Sequence, residues 1–321
     1  MKKKFPTSAS IAITYQCNSK CVMCDIWKKK REKESSPDVY KRLPNSLREI
    51  DITGGEPFLR DDLPKIVKAL RETCPKARIL IITNGFLSGK IKIITPKLLK
   101  TDKNLAFRVS LDGWGKTHDE IRRFPGGFKK ARDSIKILRK NKVRDLGIIF
   151  TLTRLNKNEL SKLLVFCKKE KIQFSLNLVH DSPISFGRKK SLRPTQEEVN
   201  RSLKEVSEFF FPSLNPKNWA KAWFYQKLKD YIKSERRAIE CGAGESFFYL
   251  DPNGDVYLCQ FKNRKIGNFK KQSFKQIWEG ERRSRYLKMK RNCHDCFMIC
   301  STKDQIKKNK ILIIKSLSGM R

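Results

Sequence analysis

Thr14-Tyr15-Gln16-Cys17-Asn18-Ser19-Lys20-Cys21-Val22-Met23-Cys24 places three cysteines at C-x3-C-x2-C spacing, directly after the apolar run Ser10-Ile11-Ala12-Ile13. That run reads as a β-strand, so the thiols are expected on the loop leaving its C-terminal end. Three thiolates on one tight loop suit three corners of a cubic iron–sulfur cluster. Soft sulfur donors favour iron–sulfur or zinc over hard cations. A closed structural site takes four protein ligands, so a loop with three leaves one metal position open for chemistry. Taken alone, the spacing also suits a structural zinc loop or a set of buried thiols.

Further along, short β-like runs alternate with amphipathic helical stretches. The runs are Ile11–Tyr15, Glu49–Thr53, Ile79–Thr83, Ala106–Leu111, Leu146–Leu152 and Phe174–Val179; helix candidates include Leu63–Cys74, Phe128–Lys140 and Glu159–Glu170. Such alternation predicts an α/β chain with a parallel sheet and outer helices. Six strands suit an open, partial (β/α)6 TIM-like barrel, though the pattern alone does not rule out a doubly wound flat sheet. In both folds functional loops gather at the C-terminal strand ends. The second strand ends in Gly54-Gly55-Glu56-Pro57, where glycines let backbone approach a ligand and a carboxylate suits an ammonium. A plain strand-to-helix turn would read the same way. The third strand ends in Thr83-Asn84-Gly85 and the fourth in Ser110-Leu111-Asp112-Gly113; Asp112 is also placed to cap the next helix. Thr151, Thr153 and Asn177 are candidates for lining the cavity, whereas His118 reads as a surface residue and His180 as a satisfied loop histidine.

The cysteine loop, with Gly-Gly-Glu at the next strand end, resembles the radical S-adenosylmethionine (radical SAM) superfamily. The resemblance implies that Cys17, Cys21 and Cys24 hold a [4Fe-4S] cluster. Its open iron would take the amino and carboxylate groups of S-adenosylmethionine, whose reductive cleavage yields a 5'-deoxyadenosyl radical for C–H activation. It also implies that Gly54, Gly55 and Glu56 hold the methionine amino group, Asn84 lies near the cofactor, and Ser110 and Asp112 face its ribose and carboxylate. Met23 departs from the aromatic residue common at that position, which concerns packing rather than ligation. No catalytic acid, base or hydrogen donor is identified.

A second cysteine group follows. Cys241 precedes two β-like runs, Phe247–Leu250 and Val256–Cys259, joined by the hairpin signal Asp251-Pro252-Asn253-Gly254; Cys293, Cys296 and Cys300 come later. Spacing alone permits a four-cysteine zinc ribbon. The group resembles the SPASM/twitch extension of radical SAM enzymes, which implies an auxiliary [4Fe-4S] cluster on Cys241, Cys259, Cys293 and Cys296, with Cys300 a substitute ligand or a spare.

The chain has 321 residues with ten cysteines and a net charge of +39, from 72 basic and 33 acidic residues. Grouped cysteines point to metal ligation rather than disulfides, while isolated Cys74 and Cys167 read as small buried hydrophobes. No apolar run long enough to span a bilayer and no signal-peptide pattern is seen, so the expected location is cytoplasmic. The charge suits nucleic acid or an anionic membrane surface, but lysines are dispersed without interleaved aromatics. Four segments are read: a barrel core at 1–185, a helical linker at 186–240, the Cys-rich α+β module (a β-hairpin plus helices) at 241–300, and a basic amphipathic tail at 301–321. Expected partners are a peptide, or a small alcohol or sugar, and an electron donor such as flavodoxin or ferredoxin. A tRNA or other nucleic-acid-modifying role and a zinc-stabilised non-catalytic scaffold stay open as alternatives.

Overall fold

In the computed structural model, residues 4–30, 33–182, 187, 190–211, 213, 215–290 and 293–309 are described. The chain runs β1 (Ser8–Thr14), β2 (Glu49–Gly54), α1 (Leu63–Thr73), β3 (Arg78–Thr83), α2 (Ser88–Thr101), β4 (Ala106–Ser110), α3 (Lys116–Arg122), α4 (Gly127–Lys140), β5 (Asp145–Leu152), α5 (Leu160–Glu170) and β6 (Gln173–Leu178). It continues through α6 (Gln196–Phe210), α7 (Pro216–Ser234), β7 (Phe247–Leu250), β8 (Asp255–Tyr257), β9 (Lys265–Asn268), α8 (Phe274–Glu279), α9 (Glu281–Lys290) and α10 (Lys303–Lys308).

Among the described residues one sheet holds nine strands in the order β6-β5-β4-β3-β2-β1-β7-β8-β9. β1 to β6 are mutually parallel, as expected of a partial barrel whose helices lie outside. Residues alternate across each strand. Ile11, Ile50, Ile52, Ile79, Ile81, Phe107, Val109, Ile148 and Phe150 are fully buried in the main core. The set one residue out of phase, including Ser10, Asp51, Arg78, Arg108, Asp145 and Ser175, lines the interior cavity. This polar inner face makes the barrel a chamber rather than a filled core.

The lower end of the chamber is tied by ion pairs. Arg78 meets Asp145 at 2.8 Å and Glu49 at 3.5 Å, Arg108 meets Asp145 at 2.7 Å, and Asp145 is held down at about 2. Burial raises the Asp145 pKa, and the two arginines more than reverse that. From α10, Lys303 reaches Asp51 at 2.8 Å and Lys307 reaches Glu49 at 3.0 Å, so this short helix plugs the barrel floor.

The hairpin predicted at Asp251–Gly254 forms. Asp251 Oδ1 accepts the amides of Asn253 at 2.9 Å and Asp255 at 2.8 Å, turning β7 into antiparallel β8. It is not a separate sheet: β7 lies parallel to β1, with Ser8 opposite Phe247, so the Cys-rich segment continues the barrel sheet. A capping box, Thr195 with Glu198, starts α6. α2 was not foreseen; Pro96 inside it removes one helical hydrogen bond and obscures the periodicity. The tail beyond Asn309 and most of the 183–189 loop lie outside the described residues.

Candidate active site

β1 delivers the cysteine loop to the C-terminal rim. The loop is held from three sides. Gly55 N–H donates to Thr14 O at 2.7 Å and Glu56 N–H to Gln16 O at 2.8 Å, stitching it to the end of β2. Val22 N–H donates to Ile121 O at 2.9 Å, and Ser19 Oγ donates to Arg122 O at 2.8 Å, stitching it to α3. From β3, Asn84 Nδ2 donates to Asn18 Oδ1 at 2.7 Å. The close approach at β2 explains the glycines. A Cβ on Gly54 would lie 2.1 Å from Thr14 O and one on Gly55 1.9 Å from Gln16 O, and Gly54 has a φ of +122°.

Cys17, Cys21 and Cys24 all line one cavity of about 1310 Å³ that also contains Gly54, Gly55, Asn84 and Ser110. Their sulfurs meet donors. Ser19 Oγ is 3.0 Å from Cys21 Sγ, Arg122 Nη1 is 3.6 Å from it, and Asn84 Nδ2 is 3.9 Å from Cys17 Sγ. Burial pushes Cys17 up to about 12 and Cys24 up to about 11, so the metal-free thiols are protonated and ligation must expel protons. Met23 packs with Cys21, Ile121 and Val179 beneath the loop. Three soft donors on one loop, facing a chamber and backed by hydrogen-bond donors, fit a cluster with one uncoordinated corner. S-adenosylmethionine bound to such a cluster supplies a one-electron route to a carbon radical.

Two of the predicted cofactor residues point into protein. Glu56 is fully buried and accepts Thr83 Oγ1 at 2.7 Å, Asn84 N–H at 2.7 Å and Phe58 N–H at 3.1 Å. Burial lifts it to about 7 against those donors. It thereby fixes the end of β3 relative to β2, and with it the Asn84 side chain. Asp112 is also fully buried; Oδ1 accepts Thr151 N–H at 2.7 Å and the carboxylate pairs with Arg122, with burial raising its pKa.

Arg122 was missed from sequence. It is a cavity residue that bridges Asp112 and Cys21, and although burial opposes its charge, Asp112 and Cys21 hold its pKa above the ordinary value. No pattern around it distinguishes it from the other 71 basic residues of the chain's 72. His118, expected on the surface, is instead fully buried. Its Nδ1 accepts Asp112 N–H at 3.0 Å, it packs against Phe86 and Phe128, and burial drops its pKa to about 3. α3 thus turns His118, Ile121 and Arg122 inward, where they partner Asp112 and the cysteine loop. Thr151 and Asn177 line the cavity as expected; Thr153 does not, being buried against Asn156 Oδ1 at 3.0 Å. His180 also lines the cavity, with Nδ1 2.7 Å from Leu178 O.

The second thiol group assembles around the hairpin base. Burial raises Cys296 most, Arg237 opposes this, and the Cys241, Cys259 and Cys300 thiols add to it. Cys259 likewise senses Cys241 and Cys293. Gly242 N–H donates to Ser301 O at 2.7 Å and Lys290 Nζ to Cys241 O at 2.7 Å, which draws the 293–301 strap onto the hairpin. Among the described residues no three Cys, His, Asp or Glu side chains crowd tightly enough to chelate one ion. Of the five thiols, only Cys300 lines the main chamber; burial pushes it up to about 12. Cys74 and Cys167 are buried core residues, as read.

Residues 11–167 match the family model of the radical SAM superfamily, and residues 241–297 match that of an iron–sulfur cluster-binding domain. The antilisterial bacteriocin subtilosin biosynthesis protein AlbA of Bacillus subtilis is 28% identical over 300 residues, covering 85% of this chain; the chain spans only 59% of that relative's length. A probable GTP 3',8-cyclase of Methanococcus vannielii is 30% identical over 210 residues, covering 62% of this chain and 68% of the relative. The structure of anSMEcpe with bound AdoMet and a Cp18Cys peptide shares the fold, with a TM-score of 0.67 at 17% identity, covering 98% of this chain and all (100%) of that one. The three-cysteine loop, the strand ends that brace it and these matches together make the chain a member of the radical SAM superfamily, with a C-terminal iron–sulfur cluster-binding domain.

Proposed function

We propose that this chain is a peptide-modifying radical SAM enzyme. The observation that carries the reading is the chamber. At about 1310 Å³ it exceeds the roughly 300–1,000 Å³ common for one small ligand, and it runs from the cysteine loop down the barrel to α7 and α10. That leaves an extended substrate room beside the cofactor. One relative is named for bacteriocin biosynthesis, and one structural neighbour holds a peptide.

In this reading Cys17, Cys21 and Cys24 bind the cluster, Gly54, Gly55, Asn84 and Ser110 form the cofactor wall, and Glu56, Asp112 and Arg122 hold that wall in place. Residues 241–300 act as the auxiliary module, using four of Cys241, Cys259, Cys293, Cys296 and Cys300 to hold a second cluster that passes an electron or anchors substrate. A flavodoxin or ferredoxin is the electron donor. The ten cysteines, none of them in a disulfide, suit a reducing cytoplasm, and among the described residues no helix is long and apolar enough to cross a membrane.

A second reading, a nucleotide or nucleic-acid substrate, draws on the cyclase relative and the +39 charge. The experiment separates them. Enzyme reconstituted anaerobically with iron and sulfide is given S-adenosylmethionine, dithionite and either a deuterated peptide pool or deuterated nucleotides. The peptide reading requires deuterium in 5'-deoxyadenosine from the peptide pool. Label arriving only from nucleotides would replace it with the second reading.

A further inference from the structure

The charges lining the chamber are sorted by position. Its three carboxylates are already held: Glu49 and Asp145 by Arg78, Asp145 also by Arg108, Asp51 by Lys303, and Glu49 also by Lys307. Arg122 is taken by buried Asp112. Three more cations line the same cavity, Arg144, Lys217 and Lys221, and among the described residues no carboxylate forms an ion pair with any of them. They occur together at the end away from the cysteine loop. Arg144 immediately precedes β5, Lys217 and Lys221 are one turn apart at the start of α7, and Lys221 reaches the start of β6.

Lys221 is the inner member. Its Nζ donates to Gln173 Oε1 at 2.8 Å and Phe174 O at 3.2 Å, and it lies 4.9 Å from the centre of the Phe210 ring. Both oxygens are neutral. An ammonium has three N–H donors, so one is left over. Burial, with Arg108 and Arg78 nearby, brings its pKa down to about 7 against the opposing pull of Asp145, which those two arginines already pair. A half-buried cation held only by neutral oxygens gains most from an anion arriving in the low-dielectric space beside it. Phosphate sites gather guanidinium forks or successive backbone N–H groups around several oxygens. Here the inner donor is a single point charge beside amide oxygens, which matches one carboxylate.

We propose that this end of the chamber is a carboxylate-binding subsite, with Lys221 as its inner contact and Lys217 and Arg144 at its rim, selecting peptide substrates that carry an acidic side chain or a free C-terminal carboxylate. The proposal rests on the peptide reading above, and its test separates the two.

Calorimetric titration of the reconstituted, S-adenosylmethionine-bound enzyme uses acetyl-triglutamate and acetyl-triglutamine, each as free acid and as C-terminal amide, with GTP and a short single-stranded RNA in parallel. The subsite predicts about tenfold tighter binding per added ion pair, equivalent to about 1.4 kcal/mol. Loss on amidation assigns the C-terminal carboxylate; loss on the glutamine swap assigns the side chain. Lys221→Gln should bring the preference close to unity, and Lys217→Glu, on the exposed rim, should weaken it even if Lys221→Gln disturbs β6. Dimethyl-lysine NMR adds a readout that a packing role would not give: the Lys221 resonance titrates near neutrality and moves to higher pH only with the peptides that carry the carboxylate so assigned. Equal binding of all four peptides overturns the subsite and leaves the peptide reading standing. Binding of GTP or RNA with none of the peptides overturns both. A preference that survives both substitutions, or an absence of all binding, overturns the subsite.

Discussion

Arg122 Nη1 lies 3.6 Å from Cys21 Sγ, while the other end of the same guanidinium is paired with fully buried Asp112. The pair thus ties a cysteine sulfur of the loop to the end of β4. Arg122→Met should strand the Asp112 carboxylate and cost about 3 kcal/mol of stability. It should also shift the midpoint potential of the Cys17/Cys21/Cys24 cluster downward, because a cation and a donor to sulfur stabilise the reduced state. Anaerobic redox titration followed by electron paramagnetic resonance checks this; an unchanged potential means Arg122 is structural only.

His118 makes the protein acid-sensitive in a defined window. Its folded pKa of about 3 lies below the ordinary 6.5, so between these values the unfolded chain binds the extra proton. Its contribution is complete above pH 6.5 and falls as pH drops from there toward 3, by about 1.4 kcal/mol per unit. Chemical denaturation at pH 7 and pH 5 should show the loss. His118→Gln should flatten that part of the slope.

Gly55→Ala pushes a methyl group against Gln16 O, which is backbone and cannot yield without moving the cysteine loop. The expected result is a loss of at least about 3 kcal/mol or failure to take up the first cluster, measured by thermal melting and iron content. Gly89→Ala, at a position with open space around it, is the control and should be within about 0.5 kcal/mol of the native chain.

Changing Cys17, Cys21 and Cys24 together to alanine should remove about four irons per chain and abolish S-adenosylmethionine cleavage. The remaining iron should stay on the C-terminal thiols. Loss of all iron in this variant would contradict two separate centres.

Lys303→Met leaves Asp51 unpaired in the barrel floor and should cost about 3 kcal/mol, whereas Asp51→Asn/Lys303→Met should recover most of it. Equal destabilisation in the single and double variants would show that the pair adds nothing beyond packing.

Much of this was legible in the sequence because the signals were local. The six barrel strands fall within three residues of the positions read from their apolar runs, and the motifs at their ends lie on one rim. The Asp251–Gly254 turn and the Thr195 capping box are short-range devices that carry their own geometry. What was not legible depends on distant partners. Arg122 becomes special only because Asp112 and Cys21 meet across it, and His118 is buried only because Phe86, Phe128 and the Asp112 amide surround it. The inward turn of Glu56 likewise needed Thr83 and Asn84, almost thirty residues on, to be placed beside it. Nor did any local cue show that β7 would pair with β1, more than two hundred residues away in the chain.

That pairing has a mechanical meaning. The Cys17 loop leaves the C-terminal end of β1, whereas Cys241 and Cys259 gather where β7 begins, opposite the N-terminal end of β1. A seven-residue strand extends about 20 Å at roughly 3.3 Å per residue. The two thiol groups are therefore held apart by a stiff spacer of set length, braced by a neighbouring strand on each side. Any electron passing between them would cross a gap set by that spacer. Lengthening β1 by one residue would widen that gap and also turn its side chains to the opposite face.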